Sequence, residues 1–175
     1  MERLGLQRFS MSDVANQAGV SRGAVYLHFG DRATLVDAVL ARVASRFVTQ
    51  SAVVVCRRRT LASQVAEAAV FIRAHVGDKL LTLRLPADGE SLLATIITAQ
   101  SERLVAEWVD FWQPFLAQAA ERGEIRSELD HRQAGEWIVR VLLSFAILPS
   151  VSLDADDPVA VREFVRSHLV VGLAA

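Results

Sequence analysis

The chain has 175 residues, 52 % of them hydrophobic, with a mean hydropathy of +0.29 and a net charge of −1. That length allows one compact unit or two closely packed ones, and the near-zero charge excludes a nonspecific nucleic-acid coat. No run approaches the roughly 18 uninterrupted apolar residues of a membrane span, no signal peptide is evident, and the single Cys56 excludes an internal disulfide, so a cytoplasmic protein with no membrane partner is expected.

Ser10 and Asp13 have the S-x-x-D spacing of a capping box, and Phe9 and Val14 that of a hydrophobic staple, so a helix should begin after Ser10. Met11, Val14, Ala15 and Ala18 give it one apolar face, and Gly19 ends it, because the residue after a helix often needs φ > 0. Ser21 caps a second helix, with Val20 and Val25 spaced as a second staple and Phe29 on the same side as Val25. Gly30 stops that helix. Asp31 caps a third, whose apolar Leu35, Val39 and Val43 are four apart; it is expected to run to about residue 50 as a rigid strut. Two short helices around a tight glycine turn, followed by a third, have the form of a helix-turn-helix that reads DNA. The first 50 residues carry six Arg against four acidic residues, a mild excess that suffices for a sequence-specific binder if the arginines share a face.

Beyond residue 50, Arg57-Arg58-Arg59 reads as a solvated loop. Thr60 should start a helix that stops at Gly77. Asp78 should start a short one ending before Pro86, and a segment from about residue 90 to 122 should be kinked or divided by Pro114. Asp130 and Gln133 form a D-x-x-Q capping box for a helix reaching Leu148, and Asp157-Pro158 places a cap before a first-turn proline to start the last helix. No segment alternates with period two, so the fold class is all-α.

The segment from Ala15 to Leu35, A-x-x-A-G-V-S-R-G-A-V-Y-L-H-F-G-D-R-A-x-L, resembles the DNA-binding signature of the TetR family of bacterial transcriptional regulators. ERGEIRSELDHRQAGEWI, from Glu121 to Ile138, and the closing VVGLAA resemble that family's last helices more weakly. The resemblance implies a helix-turn-helix domain over residues 1–48 and a helical ligand-binding and dimerisation domain over 49–175. It implies a homodimer on a palindromic double-stranded DNA operator, released by a small, mostly apolar effector, with no cofactor. Carried over by position, Ser21, Arg22, Gly23 and Ala24 lie at the start of the recognition helix, where arginine can make a bidentate contact to guanine. Tyr26, His28 and Arg32 fall where the family contacts phosphate, which sets register and affinity rather than sequence choice.

Where the family has a full helix before the turn Gly5-Leu6-Gln7-Arg8-Phe9, this chain has only Met1 to Leu4. Phe9, Met11, Val14, Val25 and Phe29 are therefore expected to be partly uncovered. A start codon set downstream of the natural one is the preferred explanation, and a curtailed domain with weakened DNA binding the other. The alternative function is accordingly a dimeric module that binds a small molecule or partner without DNA.

For the second domain, Phe71, His75, Ile96, Trp108, Phe111, Trp112, Phe115 and Trp137 are candidates to line an apolar pocket, with Gln100, Arg103 and Glu107 adding polarity. Ordinary core packing is the competing account of each. The helix after Asp130 is apolar nearly all round, which favours cover by a partner subunit. Ile138, Val141, Leu142 and Phe145 are its candidate interface, facing Val161, Phe164, Val165, His168 and Gly172 of the last helix. The four scattered His and lone Cys show no metal-ligand spacing. No nucleophile elbow, phosphate-binding loop or dinucleotide pattern occurs, and Glu102 with Asp110, or Glu121 with Glu124, reads as solvated surface, so an enzyme is not expected.

Overall fold

The computed structural model describes residues 10–82, 101–169 and 171–174, and these residues form seven α-helices. In chain order they are α1 (Met11–Ala18), α2 (Arg22–Phe29), α3 (Arg32–Val55), α4 (Leu61–Thr82), α5 (Ser101–Glu121), α6 (His131–Ile147) and α7 (Pro158–Phe164). A π-helical turn, Val165–Leu169, and a 3₁₀ turn, Val171–Leu173, follow α7. The expected Phe9 staple, the loop at Pro86 and the stretch from residue 90 to 100 lie outside the described residues.

Two hydrophobic cores are present, and α3 runs through both. Met11, Ala15, Val25 and Leu35 form the small one, with Val14, Phe29, Val36 and Val39 packed against it. The large one takes Val55 of α3 and buried side chains of α4, α5, α6 and α7, among them Leu61, Ile72, Trp112, Leu116, Ile138 and Leu142. By length and hydropathy alone α3 reaches the range of a membrane span. Exposed Arg42 and Arg46 interrupt it, and its two ends pack into the two cores, as suits a strut.

The caps form where the side chains dictate. Ser10 N–H donates to Asp13 Oδ2 at 2.7 Å while Asp13 N–H donates to Ser10 Oγ at 3.2 Å, completing the box. Asp31 Oδ1 accepts from Thr34 N–H at 2.8 Å, and Asp130 and Asp157 accept from the first turns of α6 and α7. Gly19 sits at φ +69°, a conformation only glycine enters without strain. Asp130 makes its own half of the expected D-x-x-Q box by accepting from Arg132 and Gln133 N–H.

Several expectations are corrected. The third helix continues past residue 50 to Val55, with Ser51 buried against its own turn through a bond to Val48 O. Gly77 does not end α4, and Asp78 lies within it rather than capping a new helix. An interior glycine costs only about 1 kcal/mol, less than the cooperative gain of continuing a formed helix. Pro114 lies inside α5 without dividing it; Gln113, beside it, donates from Nε2 to Val109 O at 3.0 Å and to His131 O at 3.1 Å. Met11 and Val25 are buried, not partly uncovered, because residues of α3 lie across them. The Val20 staple does not close: Val20 is 48 % exposed.

Hydrogen bonds from the Ser10 N–H and hydroxyl hold the Asp13 carboxyl below its ordinary value, and Thr34 does the same for Asp31. A depressed carboxyl contributes stability above its unfolded pKa and loses it as pH falls through the folded one. Amide-exchange protection at the first turns of α1 and α3 should therefore hold from neutrality to about pH 5 and fall in more acid solution. Asp31→Asn, which keeps the cap without the titration, should remove that fall at α3 only.

Candidate nucleic-acid interface and interior sites

Ser21 creates the geometry of α2. Its Oγ accepts from Ala24 N–H at 3.1 Å, fixing the first turn, and the apolar Val25 and Phe29 then point to the α1–α3 side. The rest of the helix is left outward. Ser21, Arg22, Gly23, Ala24, Tyr26 and His28 are all exposed, and Leu27 is 90 % exposed. Arg22 and Tyr26, one turn apart, meet each other: Arg22 Nη2 donates to Tyr26 Oη at 3.4 Å, and the guanidinium lies 5.3 Å from the ring centroid. His28 packs edge-on against Phe29 at 4.5 Å. Arg32 is exposed in the first turn of α3, beside the Asp31 cap. The seven residues expected at DNA therefore share one accessible end of the molecule.

Gly23 has no internal reason to be glycine. A Cβ there would meet Ser21 Oγ at 3.8 Å, an ordinary contact, and glycine inside a helix costs roughly 0.5–1 kcal/mol relative to alanine. Gly135 is the opposite case, since a Cβ would come within 3.2 Å of Gln113 Nε2 where α6 crosses α5.

The residues expected around an apolar pocket separate into three groups. Phe71 and Trp108 both face Phe47 of α3, at 5.1 and 5.5 Å, and His75 stacks on Phe71 at 4.0 Å while its Nδ1 bonds Phe71 O. Phe47 was not anticipated; its spacing on α3, four residues from Val43, is the only signal for it. Phe111, Trp112 and Phe115 form a second aromatic group on α5, in which Trp112 is fully buried. Trp137 joins neither: it is 49 % exposed on the outward side of α6. Glu107 is half-buried; Ile96, Gln100 and the side chain of Arg103 lie outside the described residues.

The candidate interface residues also divide. Ile138, Leu142, Phe145, Val161 and Val165 are buried in this chain's own core, because α4 and α5 cover two sides of α6 and α7 packs on α4. They are not surface. Val141 and Phe164 are half-buried, His168 is exposed and stacked on Phe164 at 4.7 Å, and the exposed Gly172 gives its carbonyl to Arg126 at 3.0 Å.

Two polar anchors were missed. Glu67, 8 % exposed on α4, accepts from Arg162 Nε at 2.7 Å and pairs with Arg58 at 3.0 Å. Burial raises its pKa, but the two guanidiniums outweigh that and hold the carboxyl below its ordinary value. Glu124 Oε2 accepts from Leu61 N–H at 2.7 Å, capping α4 from 63 residues away. Neither pairing has a local signature. Among the described residues no group of His, Cys, Asp and Glu could hold a metal ion.

Comparison with known proteins bears on the N-terminal part by sequence and on the whole by fold. Residues 1–39 match the profile of bacterial regulatory proteins of the tetR family. The HTH-type transcriptional regulator TtgR of Pseudomonas putida is 50 % identical over 36 residues, which is 21 % of this chain and 17 % of that protein's length. Among solved structures, the TetR family repressor AlkX from Dietzia sp. strain DQ12-45-1b, implicated in biodegradation of n-alkanes, superposes with a TM-score of 0.63 at 24 % identity, covering 96 % of this chain and 88 % of that one. A protein from Mesorhizobium loti MAFF303099, assigned to the TetR-family transcriptional regulators, gives 0.62 at 17 % identity, covering 95 % and 87 %.

Proposed function

We propose that this chain, whose first 39 residues match the tetR-family profile and whose fold is shared with TetR-family structures over nearly its whole length, is a dimeric, ligand-responsive repressor of that family that binds a palindromic operator. The observation that carries the reading is the outward face of α2. Its apolar side is committed to the small core, while Arg22, Gly23 and Ala24 are exposed at its N-terminal end. A glycine that the chain's own packing does not require is accounted for by a close approach from outside, here the duplex. Arg22 would leave Tyr26 for a base edge, and Tyr26, His28 and Arg32 would meet phosphates. Two recognition helices roughly 34–36 Å apart on a two-fold axis would demand a palindrome.

The dimer is proposed on the outward side of α6 and the turn after α7. The residues available there are Trp137, Val141, Phe164 and His168, in place of those spent in the core. The effector site is proposed at Phe47, Phe71, His75 and Trp108, where α3 meets the second core. A ligand there must favour the DNA-incompetent state to shift the population.

Binding to DNA from the gene's own upstream region, followed by fluorescence anisotropy, tests the reading. Arg22→Ala should lose discrimination between operator and single-base variants by roughly 10- to 100-fold. Tyr26→Phe should instead weaken all sequences about equally. Should both variants bind and discriminate as the parent does, α2 is not the reading helix, and a module acting without DNA becomes the better account.

A further inference from the structure

The side of α2 farthest from the core carries a residue to which the roles assigned above give no part. At about 100° per residue, Leu27 points about 160° away from both Val25 and Phe29, which seat the helix on the small core. It is 90 % exposed, more than any other large hydrophobic side chain in a helix among the described residues, and it joins neither core. Gly23 and Ala24, four and three residues before it, flank it at about 40° and 60°. The polar side chains of the helix point about 100° or more away: Tyr26 and His28 on either side, and Arg22, which is turned to Tyr26. The centre of the outward face is therefore apolar, with hydrogen-bonding groups only at its margins.

Gly23 leaves room beside the leucine. Helical side chains lean toward the N-terminus, so Leu27 reaches back over the turn that holds Gly23. A Cβ at Gly23 would meet only Ser21 Oγ, at 3.8 Å, so not even the leucine fills the space above the glycine backbone. The result is a shallow notch with leucine as one wall and bare backbone as its floor. In the major groove the base pairs present hydrogen-bonding groups and a single apolar one, the C5-methyl of thymine. Phosphate is a poor occupant, because packing leucine on it strips water from a charge and returns no hydrogen bond. A methyl in the notch instead removes apolar surface from water on both partners.

We propose that Leu27, beside Gly23, reads thymine through its 5-methyl group, with one such contact in each half of the operator. The contact presupposes that α2 is the reading helix, and it adds a base that the helix selects without a hydrogen bond.

Fluorescence anisotropy with duplexes covering the site protected in the gene's own upstream region tests it. Each thymine is replaced in turn by deoxyuridine, in both halves together, which removes the methyl and leaves every hydrogen-bonding group in place. At one position per half-site the parent should bind the uracil duplex more weakly, by about fourfold per methyl and about 15-fold for the pair. Leu27→Ala should erase that difference, binding both duplexes about as the parent binds the uracil one. The substitution trims an exposed side chain and should leave the unfolding temperature unchanged. The proposal is overturned by a parent indifferent to uracil at every thymine, or by a Leu27→Ala protein that keeps the parent's preference. It is also overturned if Leu27→Ala turns a dimeric parent into a monomer in sedimentation, which would put a second copy of the chain on the leucine. Failure of the α2 reading looks different. In that case Arg22→Ala also binds the thymine duplex as the parent does, or the parent protects no site, and the Leu27 contact falls with it.

Discussion

Replacing Trp112 with alanine is expected to lower the unfolding free energy by about 3–5 kcal/mol, measured in urea by far-UV circular dichroism. The indole is fully buried on α5, against Phe111 at 5.3 Å and Phe115 at 5.7 Å, where it joins the helices of the large core. Truncation removes its transfer free energy and leaves a cavity that rigid neighbours fill only in part. Against a total stability of about 5–15 kcal/mol for a domain, that is a large fraction. Trp112→Phe separates packing from polarity. Trp112 Nε1 donates to no acceptor among the described residues, so phenylalanine removes an uncompensated donor as well as some volume. The two effects oppose each other, and the net loss should be about 1 kcal/mol or less. A phenylalanine variant as unstable as the alanine one would mean that the indole N–H is bonded.

Glu67→Ala is the second large effect, expected to cost about 3 kcal/mol by the same measurement, since hydrogen bonds to charged groups each contribute about 1.5–3 kcal/mol. The carboxylate joins three elements: its own α4, the α3–α4 loop through Arg58 and α7 through Arg162. Removing it leaves two guanidiniums facing a buried surface, the costly half of breaking such a pair. Arg58 is half exposed and can turn to water, which keeps the loss at this size rather than above it. The pH dependence has a definite sign. Glu67 is depressed below its ordinary value, so its contribution is complete at neutral pH and disappears as acid titrates the folded protein. In Glu67→Gln that acid-dependent part should be absent, and the stability difference from the parent should shrink steadily below about pH 4.

The parts of the structure legible from sequence are those whose causes are local. Ser10, Ser21, Asp31, Asp130 and Asp157 cap helices where their spacing placed them, because the acceptor and the orphan N–H groups lie within three residues. The outward face of α2 follows from Val25 and Phe29 for the same reason. Causes distant along the chain were hidden. Whether Trp137 lies inside or outside depends on which sides of α6 its neighbours take, and an all-round apolar helix does not say. Ile138, Leu142, Val161 and Val165 suit a subunit interface and a private core equally well by composition. Glu67 and Glu124 look like ordinary surface carboxylates until the fold brings Arg162 and Leu61 to them.

The unbroken length of α3 has a mechanical consequence. Its 24 residues make a lever of roughly 36 Å, with Val55 seated in one core and Leu35 in the other. Tilting it by about 5° about its Val55 end carries the opposite end by about 3 Å, nearly the rise of one base pair. A repacking of about 1 Å around Phe47, a third of the way from that fulcrum, is thereby magnified about threefold at the α2 end. Continuing the helix through buried Ser51 instead of ending it near residue 50 sets the gearing.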